Sequence, residues 1–211
     1  MTRRPLPALD EVLAVTRVVA IPTRTRFRGV TVREAVILAG PEGPSEFSPF
    51  VEYGDAEAAT WLAGALDFGG RPQPSLVRYR IDGSATGRAG GPAAAPGIVA
   101  RFPGCRTAKV KVAEQGQDLA ADIARVRAVR AELGDDALVR IDANGGWSVD
   151  QAITALRALA DFDLDYAEQP CATVPELVAV REALGGSASP VRIAADESVR
   201  KAEDPLAVAR S

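Results

Sequence analysis

The amino-acid sequence predicts an α/β protein in two parts: an α+β segment over residues 1–75, then β/α units of a parallel sheet over 76–211. Three observations predict it. From residue 76 onward, strand-like and helix-like runs alternate with a period of roughly 27–30 residues, the signature of right-handed βαβ units. The polar residues of the strand-like runs gather at their carboxyl ends, the edge where parallel sheets carry their sites. The stretch Gly69-Gly70-Arg71-Pro72-Gln73-Pro74 reads as a linker between the two parts.

The elements follow in order. Val12–Ile21 and Thr31–Leu38 alternate or run apolar, as strands do, and Pro41-Glu42-Gly43-Pro44 marks a turn. Asp55 is placed to cap a helix bearing Ala58, Ala59, Trp61, Leu62, Ala65 and Leu66. Leu76–Ile81 reads as the first strand of the regular region, and Gly83–Gly97, rich in Gly, Ala and Pro, as a loop. Thr107–Ala113 is a strand. The helix after it starts near Asp118, carries Leu119, Ile123, Val126, Val129 and Leu133, and ends at Gly134. Ala137–Ala143 is a strand, and Ser148 with Gln151 forms a capping box for a helix bearing Val149, Ile153, Leu156 and Leu159. Leu164–Glu168 is a strand. Thr173 with Glu176 forms a second capping box before Leu177, Val180 and Leu184. Val191–Ala195 is a strand, and another helix begins near Lys201. This alternation fits a doubly wound sheet or a (β/α) barrel.

Composition excludes several function classes. Apolar residues make up 47% and charged residues 25%, an ordinary globular balance, and a net charge of −3 gives no argument for nucleic acid or an anionic membrane surface as partner. No apolar run approaches the roughly 20 residues of a membrane helix. Arg3-Arg4 precedes no long apolar segment, so no signal peptide is expected. Cys105 and Cys171 lack metal-like spacing and read as reduced thiols of a cytoplasmic protein. There is no histidine, which removes the commonest general base, the usual zinc ligand and every Ser-His or Cys-His nucleophile. Proton chemistry here falls to Lys, Asp, Glu, Tyr or Cys.

Arginine dominates the basic residues; the lysines are Lys109, Lys111 and Lys201. Two of them sit two apart in one β-branched run, so they share a strand face. Paired ammonium groups lower each other's pKa, and a lysine tuned toward neutrality acts as a general base where an arginine cannot. The pair alone is equally well explained as solvent-facing strand residues. Asp142, Glu168 and Asp196 end three successive strands. Singly they read as caps or ion-pair partners; in register they would repel unless a cation sat among them. Oxygen ligands without His or Cys suit Mg²⁺. A base beside a divalent cation points to proton abstraction next to a carboxylate. No residues for an organic cofactor are singled out.

The motifs Lys109-Val110-Lys111, "DANGGW" (142–147), "EQP" (168–170) and "ADES" (195–198), in this order, resemble the enolase superfamily, muconate-lactonising-enzyme subgroup. "RFRGVTVREAVIL" with "EFSPFVEY" (46–53) is similar to the o-succinylbenzoate-forming branch of that subgroup, of the actinobacterial kind, which serves menaquinone biosynthesis. The resemblance implies a capping, substrate-specificity domain over 1–75. It implies a (β/α) TIM-type barrel from 76, about five of whose strands lie in this chain. By motif match, Lys111 is the base and Lys109 tunes it and contacts the substrate carboxylate. Asp142, Glu168 and Asp196 bind Mg²⁺; Asn144 and Glu197 stand behind them. The implied reaction is syn-dehydration of 2-succinyl-6-hydroxy-2,4-cyclohexadiene-1-carboxylate through an enediolate, a carbon–oxygen lyase activity. Alternatives are an N-acylamino-acid racemase, a dipeptide epimerase or a truncated non-catalytic homologue. The family has a further lysine on the sixth barrel strand. The sequence stops at Ser211, before that strand, so a truncated chain or part of a longer one is expected. Substrate choice is expected in loops around Pro22–Gly29 and Phe47–Tyr53; Arg24, Arg26 and Arg28 there each read first as solvated arginines, with attraction of a succinyl carboxylate as the alternative.

Overall fold

The computed structural model describes residues 6–27, 29–81, 83–87, 91–201 and 203–211. The chain divides into two compact units, 1–79 and 80–211. Arg3, Arg4 and Arg28 lie outside the described residues, as do residues 88–90 of the expected Gly83–Gly97 loop and the side chain of Arg26.

In the first unit, helix α1 (Leu9–Ala14) precedes strands β1 (Thr16–Phe27), β2 (Val30–Gly40) and β3 (Gly43–Phe47), and helix α2 (Asp55–Gly70) follows. The three strands form one antiparallel sheet in the order β1-β2-β3. The strand expected from Val12 begins instead at Thr16. Asp10 and Glu11 fall in a helical first turn, where the Glu11 carboxylate accepts the Ala8 amide at 2.9 Å. The expected Asp55 cap is also displaced: Gly54 is the N-cap, and Asp55 opens the helix, where its charge favours the dipole. The end of α2 packs tightly on the β2–β3 turn. A Cβ at Gly40 would stand 2.2 Å from the Gly69 carbonyl oxygen, which accepts the Glu42 amide at 3.0 Å. Arg33 lies 4.2 Å over the Phe50 ring, a cation–π contact, and Tyr53 packs on Trp61.

The second unit contains β4 (Ala85–Gly87), α3 (Ala95–Val99), β5 (Thr107–Lys111), α4 (Leu119–Leu133), β6 (Leu138–Asp142), α5 (Val149–Leu159), β7 (Leu164–Glu168), α6 (Val174–Ala183), β8 (Ile193–Ala194) and α7 (Asp204–Ala209). β4 to β8 pair in parallel and in sequential order. A doubly wound sheet reverses direction at a switch point; sequential order is the barrel pattern. One expected strand is absent. Leu76–Ile81 forms no strand, and its Leu76, Val77, Tyr79 and Ile81 are largely exposed. The sheet starts instead at β4, inside the stretch read as a loop. Three residues of small side chain carry no periodic signal, although Ala85 is buried.

The strands alternate over β5, β6 and the carboxyl end of β7, where a register shift after Leu164 precedes the alternating Tyr166, Ala167 and Glu168. Ala108, Val110, Val139, Ile141 and Ala167 turn toward the helices and join Val126, Val129, Leu156, Leu159 and Val180 in the core. Lys109, Lys111, Arg140, Asp142, Tyr166 and Glu168 occupy the other face. Three helix starts read from sequence, at Asp118, Ser148 and Thr173, hold, whereas the helix expected near Lys201 starts at Asp204. Asp118 accepts the Ala121 amide at 2.8 Å. Ser148 and Gln151 bond reciprocally, at 2.9 and 3.3 Å. At Thr173 the Glu176 carboxylate takes both the backbone amide and the hydroxyl of Thr173. Among the described residues no helix is long and apolar enough to cross a membrane.

Candidate active site

Strand register builds the site. Lys111 of β5 stands beside Asp142 of β6, which stands beside Glu168 of β7, which stands beside Ala194 of β8. One row deeper, Lys109 pairs in register with Arg140, and Arg140 with Tyr166. The Lys109 ammonium bridges two carboxylates, 2.7 Å from Glu168 Oε1 and 3.0 Å from Asp142 Oδ2. The Lys111 ammonium donates to Asp142 Oδ2 and, at 2.8 Å, to Asn144 Oδ1. Asn144 Nδ2 donates in turn to Glu197 Oε1 at 2.9 Å. Asp142 is fully buried, and its second oxygen accepts the Asn144 amide at 3.0 Å.

The electrostatics follow from these contacts. Burial pushes the Asp142 carboxyl up, but hydrogen bonds from Lys111 and Lys109 outweigh it and hold the group below its ordinary range. Glu168 is raised, first by burial and then by the charges of Asp142 and Asp196, against the pull of Lys109. Burial alone would lower Lys109, yet its bonds to Glu168 and Asp142 raise it above the ordinary lysine value. The depression expected at Lys109 is therefore reversed: two carboxylates within hydrogen-bond reach outweigh the burial that lowers it.

The backbone turns sharply where the site residues end. Ala113, Asn144 and Gln169 adopt left-handed φ values of 59°, 47° and 40°. Each such residue costs on the order of 1–3 kcal/mol and persists only where its surroundings hold it. Gly146 must lack a side chain here, because a Cβ would stand 2.9 Å from the Ala143 carbonyl oxygen. Behind β5, two charged residues grip this turn from α4. Arg125 Nη1 donates to the Lys111 carbonyl at 2.6 Å and to Asp122 Oδ1 at 2.9 Å, while Asp122 Oδ2 accepts the Ala113 amide at 3.0 Å. Sequence reading missed this pair. The signal was present: Asp122, Arg125, Val126 and Val129 have the i, i+3, i+4, i+7 spacing of one helix face.

Four of the five residues singled out from sequence, Lys109, Lys111, Asp142 and Glu168, come together in one hydrogen-bonded group. Asp196 does not join them directly. Its backbone amide donates to Gln169 Oε1 at 2.7 Å, and its charge reaches Glu168 only electrostatically. Among the described residues no three carboxylate, His or Cys side chains form a ready metal cluster. Among the described residues the three expected ligands therefore form no single cluster, and the Lys109 ammonium lies between Asp142 and Glu168. The donor set itself fits a hard divalent cation. It is all oxygen, two of its carboxylates already share one cationic centre, and the charge of Asp196 contributes, after burial and Asp142, to the rise at Glu168. Glu197 Oε2 is buried close by and accepts no hydrogen bond among the described residues.

Residues 98–211 match the family described as Enolase C-terminal domain-like, and residues 18–69 match Enolase N-terminal domain-like. The sequence is 55% identical over 207 residues to the o-succinylbenzoate synthase of Mycolicibacterium smegmatis, covering 98% of this chain and 62% of that relative. Among solved structures, the o-succinylbenzoate synthase of Thermosynechococcus elongatus BP-1, complexed with Mg in the active site, aligns with a TM-score of 0.65 at 22% identity, covering 91% of this chain and 71% of that one. The L-Ala-D/L-Glu epimerase of Bacillus subtilis aligns equally well, with a TM-score of 0.65 at 21% identity, covering 92% and 70%. At that identity the two structures establish the fold alone.

Proposed function

The chain belongs to the enolase superfamily, and from that premise we propose that it is the dehydratase that forms o-succinylbenzoate. The observation that carries the reading is the row Lys111–Asp142–Glu168 at the carboxyl edge of the sheet, with Lys109 bridging the two acids. Lys111, the base, takes the proton from the carbon next to the substrate carboxylate. The electron pair left behind spreads into that carboxylate, and Lys109 supplies a fixed positive charge beside it. The carbon–oxygen bond to the ring hydroxyl then breaks. Lys111 returns its proton to the departing oxygen as water leaves, so the lysine ends as it began and the ring becomes aromatic. Asp142, Glu168 and Asp196 are assigned to Mg²⁺, which when bound would add positive charge where the substrate carboxylate gains negative charge. The amino-terminal unit is assigned the choice of substrate, and the protein to the cytoplasm.

The fold does not distinguish dehydration from epimerisation, since a synthase and an epimerase align equally well. The 55% identity to a synthase favours dehydration. The test is an absorbance assay of the native gene product with Mg²⁺ and 2-succinyl-6-hydroxy-2,4-cyclohexadiene-1-carboxylate. Appearance of the aromatic diacid, abolished by a chelator, is the expected result. A folded, Mg²⁺-binding protein that leaves this diene unchanged but epimerises a dipeptide overturns the reading.

A further inference from the structure

Gln169 is fully buried, yet both ends of its side chain are engaged. Its Nε2 donates to the Cys171 carbonyl at 2.9 Å and to Ser198 Oγ at 2.5 Å, with a longer 3.5 Å contact to the Ala172 carbonyl. Its Oε1 accepts the amide of Asp196 at 2.7 Å and that of Ser198 at 3.2 Å. The main chain of the same residue ties two further elements. The Gln169 amide donates to the Ala194 carbonyl at 2.8 Å, at the end of β8, and the Gln169 carbonyl accepts the Gly145 amide at 2.7 Å, in the turn after β6. One residue therefore joins the three loops that follow Asp142, Glu168 and Asp196. It does so from a left-handed backbone with φ of 40°, a conformation that a glutamine holds only when its surroundings dictate it.

These contacts have a specific consequence. Asp142 and Glu168 are set side by side by strand register. Asp196 has no such support, because β8 ends at Ala194 and the chain leaves the ladder before reaching it. The side chain of Gln169 supplies the missing bond, continuing the ladder by one amide. We infer that Gln169 is a positioning residue that sets Asp196 at a fixed distance from Asp142 and Glu168, so that a divalent cation meets a preorganised third carboxylate. This inference rests on the proposed Mg²⁺ site. Outer contacts of this kind typically change metal affinity by about 10–100-fold when removed.

The experiment combines Mg²⁺ titration by calorimetry with amide hydrogen exchange on the wild-type chain, Gln169→Met, Asp196→Asn and the double variant. Gln169→Met preserves length and apolar volume while removing every side-chain hydrogen bond. The expected result is an Mg²⁺ Kd raised about 10–100-fold. Exchange should quicken at Asp196 and Ser198, while β6 and β7 stay protected. In the Asp196→Asn background the same change should cost little more, since a residue acting through Asp196 is non-additive with it. Full multiplicative losses, or an unchanged Kd with wild-type binding intact, overturn the inference and leave the Mg²⁺ site standing. A wild-type chain that binds no Mg²⁺ overturns both. If Gln169→Met does not fold, Ser198→Ala replaces it. That change removes one acceptor of Nε2, and a smaller loss of Mg²⁺ affinity in the same direction is expected; no loss counts against the inference.

Discussion

Lys111 and Asp142 touch through a single hydrogen bond, yet their removal should act on different quantities. Lys111→Ala takes away the proposed base, whose loss is expected to lower turnover by about 10²–10⁴-fold. Mg²⁺ affinity should be largely retained, because no proposed ligand changes. Turnover at the wild-type rate would remove Lys111 from that role. Asp142→Asn should weaken Mg²⁺ binding, read by the same titration, and an unchanged affinity would take Asp142 out of the site. Asp142 also ties stability to pH. Its carboxyl is lowered in the fold, so its contribution is complete above about pH 4, the ordinary carboxylate value, and is lost as pH falls through the lowered folded value. Glu168, raised in the fold, has the opposite sign: acidification relieves its burial.

At the scale of elements, the Asp122–Arg125 pair holds the turn of β5 that carries both site lysines. Both residues are more than nine-tenths buried, and together they satisfy the Lys111 carbonyl and the Ala113 amide. Removing one partner strands the other charge in the core. Arg125→Ala is therefore expected to destabilise the protein by about 3–5 kcal/mol in urea unfolding. Replacing both residues by apolar side chains of similar size should recover much of that loss. If the double replacement costs the sum of the two single losses, the pair does not act as a unit.

At the scale of the whole molecule, the stretch between α2 and β4 stands out. Residues 71–81 form neither helix nor strand, and Tyr79 and Val77 are almost wholly exposed. Backbone without ladder or helix bonds opens at low cost and is where proteases cut first. Brief treatment with chymotrypsin is expected to cleave after Tyr79 before any site within β5–β8, giving two fragments separable by mass. First cleavage inside the parallel sheet would contradict this reading.

The sequence by itself determined the α/β class, the helix starts at Asp118 and Ser148, and the strand ends that carry Lys111, Asp142 and Glu168. Those features rest on local rules: period-two alternation, capping chemistry and the turn that follows each strand. Only the tertiary structure decided that the five parallel strands lie in sequential order, as in a barrel. It alone decided that Ala85–Gly87 rather than Leu76–Ile81 begins the sheet, because burial rather than apolar character selects a strand. It also decided that Lys109 is bound to two carboxylates and raised in pKa, and that a buried glutamine accepts the Asp196 amide. Each of these turns on neighbours from distant parts of the chain, and local periodicity carries no record of which distant residue supplies a hydrogen bond.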